Sequence, residues 1–167
     1  MKRKTFLKTG LLSLASLGLT AKSIARPSLD PDPLPVDLVE EFVRAGHSDL
    51  DKVKAMLKET PNLIYAQYDW GNGDFEAAIE GAGHLGKKEI AEYLIGQGAR
   101  ANIFVLTMLG KTELVKPMLE AYPQLIRSKG PHGFTLLHHA KKGGAEAEAL
   151  QAYLLEKGLT ETMIKIR

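Results

Sequence analysis

The chain has 167 residues, 44% of them hydrophobic, and no cysteine, which excludes disulfides, thiol chemistry and cysteine-based metal sites and leaves an apolar core to carry the fold. Its first 25 residues hold five of the 22 basic side chains and none of the 20 acidic ones, so the remainder carries 17 against 20, a formal charge of about −3. A chain of that sign has no electrostatic footprint for nucleic acid, and 142 residues predict one domain.

The N-terminal 25 residues read as an export signal. Lys2, Arg3, Lys4 and Lys8 form a basic head, residues 9–21 are a short run of Leu, Ala, Gly and Ser, and Ser23-Ile24-Ala25 is a small-x-small cleavage site. Residues 3–8, RKTFLK, are similar to the twin-arginine consensus with lysine at the second arginine, which leaves the general secretory and twin-arginine routes both open. The apolar run is too short to span a membrane, and its destination is the periplasm. Pro27, Pro31, Pro33 and Pro35 then mark residues 26–35 as a proline-rich linker.

From residue 36 the pattern turns helical. Leu50, Val53, Met56 and Leu57 recur at helical spacing and lead into MLKETPNLI, residues 56–64, which returns as MLEAYPQLI 62 residues later. In both copies a helix ends at a proline and a Leu-Ile pair follows. Residues 69–75, DWGNGDF, form a finger containing the single tryptophan, and its Asn-Gly dipeptide predicts a hairpin turn. Trp70 either anchors a partner with Phe75 or folds over the neighbouring unit and seals its edge. Residues 77–102, AAIEGAGHLGKKEIAEYLIGQGARAN, give two more short amphipathic helices around Gly86. NIFVLTMLG and TELVKPMLEA give another pair around Gly110, and GFTLLHHA with AYLLEKG gives a last pair.

Residues 77–102 line up without a gap on TPLHxAAxxGxxEIVxLLLxxGAxxN, with Ile79, Ala82, Gly83, Gly86, Glu89, Ile90, Leu94, Ile95, Gly98, Ala99 and Asn102 in register. GFTLLHHA matches GxTPLHxA at Thr135, Leu137, His138 and Ala140. The chain resembles an ankyrin repeat protein. The resemblance implies an all-α solenoid of about four helix-turn-helix units with short hairpin-like fingers, at about 36–69, 70–100, 101–128 and 129–158, followed by a C-terminal tail, 159–167. Gly86 and Gly110 are 24 residues apart where the repeat length is about 33, so the finger before the third unit is missing.

Chemical motifs are few. Residues 81–86 spell GxGxxG but end a helix rather than link a strand to one, and Gly110-Lys111-Thr112 lacks the upstream glycine of a P-loop. Ser28, Ser48 and Ser128 stand at no nucleophile turn, and His138 and His139 diverge by about 100° on a helix. In the resembling family, partners lie against the finger tips and the exposed side of each first helix. Here that face carries Glu41 and Arg44, Gly81 and His84, Val105 and Met108, then His139 and Lys142, with Trp70, Asn72, Asp74, Phe75 and His132 on the fingers. The expected protein is a monomeric, non-catalytic module without metal or cofactor that binds another protein or peptide of the envelope. The alternative is a metal-binding protein or enzyme built on His132 or His139 with Asp69 or Asp74, although metal-ligand spacing is not met.

Overall fold

The computed structural model describes residues 31–166. The expected export signal and the linker up to residue 30 lie outside the described residues. The described chain is mostly helical, as the all-α expectation requires. Eight α-helices follow in pairs: α1 (Val36–Gly46) and α2 (Leu50–Glu59), α3 (Ala78–Leu85) and α4 (Lys88–Gly96), α5 (Ile103–Met108) and α6 (Thr112–Ala121), α7 (Leu136–Gly143) and α8 (Glu148–Glu156). Each second helix packs on its own first helix, while α1 packs on α3, α3 on α5 and α5 on α7.

Local chemistry sets these boundaries. Asp49 caps α2 by accepting the Lys52 N–H at 3.0 Å, and Gly86 and Gly110 supply the left-handed turns between paired helices, with φ of 71° and 69°. The repeated nonapeptide folds the same way twice. Thr60 (φ −133°, ψ 80°) and Tyr122 (φ −131°, ψ 73°) each end a helix and lead into a five-residue 3-10 turn that begins at Pro61 or Pro123. Proline has no N–H to continue the helical ladder, so the chain turns there and buries Leu63 completely.

Strand is confined to one antiparallel hairpin among the described residues, β1 (Gln67–Asp69) and β2 (Phe75–Ala77), with Tyr68 opposite Glu76. Its loop is built by Gly71, Asn72 and Gly73, all with positive φ, and by the Asp69 carboxylate accepting the Gly71 N–H at 2.8 Å. Strand alternation turns Phe75 outward, 54% exposed, and Glu76 inward, fully buried. No hairpin stands between α4 and α5, where the sequence lacks the length for one.

The core runs in two adjoining parts, one around Phe42, Ile79 and Leu94 and one around Leu119, Leu136 and Leu154. Val105 and Met108, expected on an exposed strip, are fully buried, and His84 and His139 are buried too. α5 packs against both α3 and α7, so the face read as exposed is the one on which the first helices stack. Glu41, Arg44 and Lys142 alone of that strip are exposed. The C-terminal segment is part of the fold: Thr135 N–H donates to Thr162 O at 3.1 Å, Ile164 N–H to Gly133 O at 2.8 Å, and Phe134 bridges Met163. No helix among the described residues is long and apolar enough to cross a membrane.

Candidate functional site

Four segments distant in sequence converge beside the hairpin. His47 follows the last residue of α1, and its Nδ1 donates to the Val43 carbonyl at 2.9 Å. Its ring lies against α3 at Gly81, where a Cβ would meet the ring nitrogen at 2.7 Å, so only glycine lets the imidazole approach. Glu76 comes from β2, pointing inward by strand alternation. His84 is in the last turn of α3, and its carbonyl accepts the His138 Nε2–H at 2.8 Å, with Phe134 stacked on His138 at 4.0 Å. His132 sits in the turn before α7 in a left-handed conformation, φ 58°. Asp74 holds it there through two contacts, accepting its backbone N–H at 2.8 Å and its Nδ1–H at 2.8 Å.

The four side chains His47, Glu76, His84 and His132 each offer one ligand atom, all within 4.8 Å of one another. Glu76 is at the centre. Its Oε2 lies 3.4 Å from His47 Nε2 and 3.5 Å from His132 Nε2, and accepts the Trp70 indole N–H at 2.7 Å. Its Oε1 faces His84 Nδ1 at 3.0 Å, off the line that a hydrogen bond requires, so both atoms are sealed from solvent without a hydrogen-bond partner. Burial pushes the Glu76 carboxyl up, but its contacts with His84, His47 and Trp70 together outweigh that and hold it below the usual carboxylate range.

In front of the cluster opens a cleft of about 400 Å³ lined by Arg44, His47, Trp70 and His132. The Arg44 guanidinium lies over the Trp70 ring, 4.5 Å from its centroid, while accepting no seat in the core, and it pairs with Glu40 at 2.7 Å. Trp70 also packs edge-on against Tyr68 at 4.7 Å. The ring leans on the core edge and walls the cleft.

The structure brings Trp70, Asp74, His84 and His132 of the expected residues to one place, and the weighed pair of Asp74 with His132 is in direct contact. Asn72 and Phe75 are exposed on the hairpin, and Lys142 is exposed on α7. His139 is not in the site; it is 1% exposed, its Nδ1 donates to the Thr135 carbonyl at 2.8 Å, and it packs against Phe104. Burial pushes its pKa down to about 4. Glu80, in the first turn of α3, is raised by burial and serves local structure, accepting the Ala77 N–H at 2.8 Å and the Asn102 amide at 2.6 Å.

His47 and Glu76 were not picked out by sequence reasoning. One signal was present: His47, His84 and His132 each adjoin a glycine, at Gly46, Gly83 and Gly133. Compared with family models, with curated proteins and with solved structures, the chain matches none.

Proposed function

We propose that the chain is an exported, non-catalytic binding module of the ankyrin-repeat kind, which holds a segment of another envelope protein in the cleft beside its hairpin. Supporting the repeat reading are the paired helices, the row formed by α1, α3, α5 and α7, and the nonapeptide that folds alike in both copies. Export rests on the order of basic head, apolar run and cleavage site in the sequence.

The observation that carries the binding site is the composition of the cleft walls. An indole, a guanidinium and two imidazoles face one open cavity of about 400 Å³. Aromatic and arginine side chains dominate the energetics of interfaces, and a pocket with a few convergent polar groups is the usual form of a recognition site. Arg44 beside Trp70 suits a carboxylate carried next to an apolar side chain, as on an acidic peptide segment. The surface strip of first-helix residues is not part of the proposal, because its middle is buried.

Trp70 is the single tryptophan, so intrinsic fluorescence reports this cleft directly. Titration with short peptides pairing Asp or Glu with Leu or Phe is expected to give a saturable shift. Arg44→Ala weakens binding at least about tenfold, since a charge-assisted hydrogen bond is worth about 1.5–3 kcal/mol. Lys142→Ala, on α7, leaves it unchanged. Acidic and neutral peptides binding alike, or an Arg44→Ala protein that binds as well as the parent, would overturn the assignment.

A further inference from the structure

We propose that His47, His84, His132 and Glu76 are the ligands of one divalent first-row transition-metal ion, with zinc the best fit. The proposal is independent of the peptide reading, because it concerns the floor of the cleft and needs no protein partner.

The argument begins with the ring tautomers. A carbonyl oxygen only accepts, so the His47 Nδ1 facing Val43 O carries the ring proton, and the same holds for the His132 Nδ1 facing the Asp74 carboxylate. In the neutral rings, both Nε2 atoms are then lone pairs, and both point at the acceptor oxygen Oε2 of Glu76 at 3.4 and 3.5 Å. Acceptors facing acceptors repel one another unless a cation lies between them. Trp70 supplies one proton to Oε2, while Oε1 and His84 Nδ1 face one another at 3.0 Å, sealed from solvent and out of hydrogen-bond alignment. A buried carboxylate with its neighbours arranged in this way asks for positive charge.

The distances suit a metal. With zinc bonds of about 2.0–2.1 Å, the edge of a tetrahedral ligand set is about 3.3–3.4 Å. Glu76 Oε2 lies 3.4 and 3.5 Å from the His47 and His132 Nε2 atoms, its Oε1 lies 3.0 Å from His84 Nδ1, and one ligand atom from each of the four residues falls within 4.8 Å of the others, so the rings close in by about an ångström around a bound ion. Imidazole nitrogens with one carboxylate favour zinc, nickel, copper, cobalt or iron over calcium and magnesium, which take oxygen ligands. The outer contacts match what metal-bound histidines require, since a histidine ligand ordinarily donates its other ring N–H to a carboxylate or backbone carbonyl. Val43 and Asp74 provide those two acceptors. His47 and His132 keep 22% and 31% of their side chains exposed toward the cleft while Glu76 and His84 are buried, giving an ion a way in from one side.

The test uses the tag-free full-length chain, stripped with a chelator. Zn²⁺ is titrated in competition with a chromophoric chelator, and Co²⁺ is followed by its visible absorption. The expected result is one ion per chain with micromolar affinity or tighter, and a melting temperature that rises with Zn²⁺ concentration. Glu76→Gln and His84→Gln remove ligands and abolish stoichiometric uptake. Should these buried variants not fold, two partly exposed positions decide the matter. His132→Gln abolishes uptake, and Asp74→Asn, which only orients His132, weakens affinity about 10–100-fold. His139→Leu leaves affinity unchanged. A chain with a cooperative melt that takes up none of Zn²⁺, Co²⁺, Ni²⁺ or Cu²⁺ would overturn the proposal, and so would uptake that Asp74→Asn and His132→Gln leave intact.

Discussion

Acidification singles out His139. The ring is 1% exposed between α7 and Phe104, and burial holds its pKa at about 4 in the fold against 6.5 for the free side chain. Above 6.5 the ring is neutral in both folded and unfolded chains and adds no pH dependence. Below 6.5 the unfolded chain takes a proton that the folded one refuses, so stability falls as pH falls, through the window from 6.5 to about 4. Linkage gives a loss of about 2 kcal/mol by roughly pH 5 and about 3 kcal/mol by roughly pH 4.

His139→Leu isolates this contribution. The substitution is close in volume and apolar, and the Thr135 carbonyl is not left without a partner, because it also accepts the backbone N–H of residue 139 at 3.3 Å. Urea unfolding is measured from pH 7.5 downward with a chelator present, so that no metal equilibrium enters the comparison. Over that range to pH 5 the parent is expected to lose about 2 kcal/mol more than the variant, a large fraction of the stability of a domain this size. Parallel pH profiles for the two proteins would show that His139 is protonated in the fold, and would refute the burial argument.

Two further outcomes follow from particular residues. Gly110→Ala places a Cβ at φ 69° and against the carbonyl oxygen of Glu146, so a cost of about 2 kcal/mol or more is expected in urea titration, and a loss below about 0.5 kcal/mol would refute the close approach. N-terminal sequencing of the envelope fraction is expected to begin near Arg26, whereas a cytoplasmic protein retaining Met1 would refute export.

Helices were legible because their signals are local. Leu50, Val53, Met56 and Leu57 mark the inner face of α2, and Ile90 and Leu94 that of α4, while Ile95, in the same run, is 37% exposed. Proline at residues 61 and 123 and glycine at 86 and 110 stop and turn the chain through their own backbone chemistry. The Asn-Gly hairpin was legible for the same reason. The strip of His84, Val105, Met108 and His139 was misread because a helical period shows that a face exists but not which neighbour covers it. In α5 both long sides are taken, one by α3 and one by α7. The site was legible only in pieces, since its ligands come from four segments and no fixed spacing joins them.

The short connection between α4 and α5 leaves room for those pieces to meet. Between α4 and α5 the chain is too short for a hairpin, so nothing stands between the loop of residues 70–74 and the turn at residues 131–133. Asp74 reaches across that gap to hold His132 at both its backbone and its ring, and His132 completes the group around Glu76. The cost of the arrangement is also informative. A buried carboxylate beside an unpartnered imidazole is worth less to stability than apolar side chains of the same volume, which the rest of the row uses freely at Val105, Met108 and Leu137. Departures from local rules of this kind concentrate at functional sites, where binding a ligand offsets what folding alone does not. The short connection between α4 and α5 and the buried Glu76 are therefore two parts of one feature: the connection leaves the place open, and the charge defines what fits it.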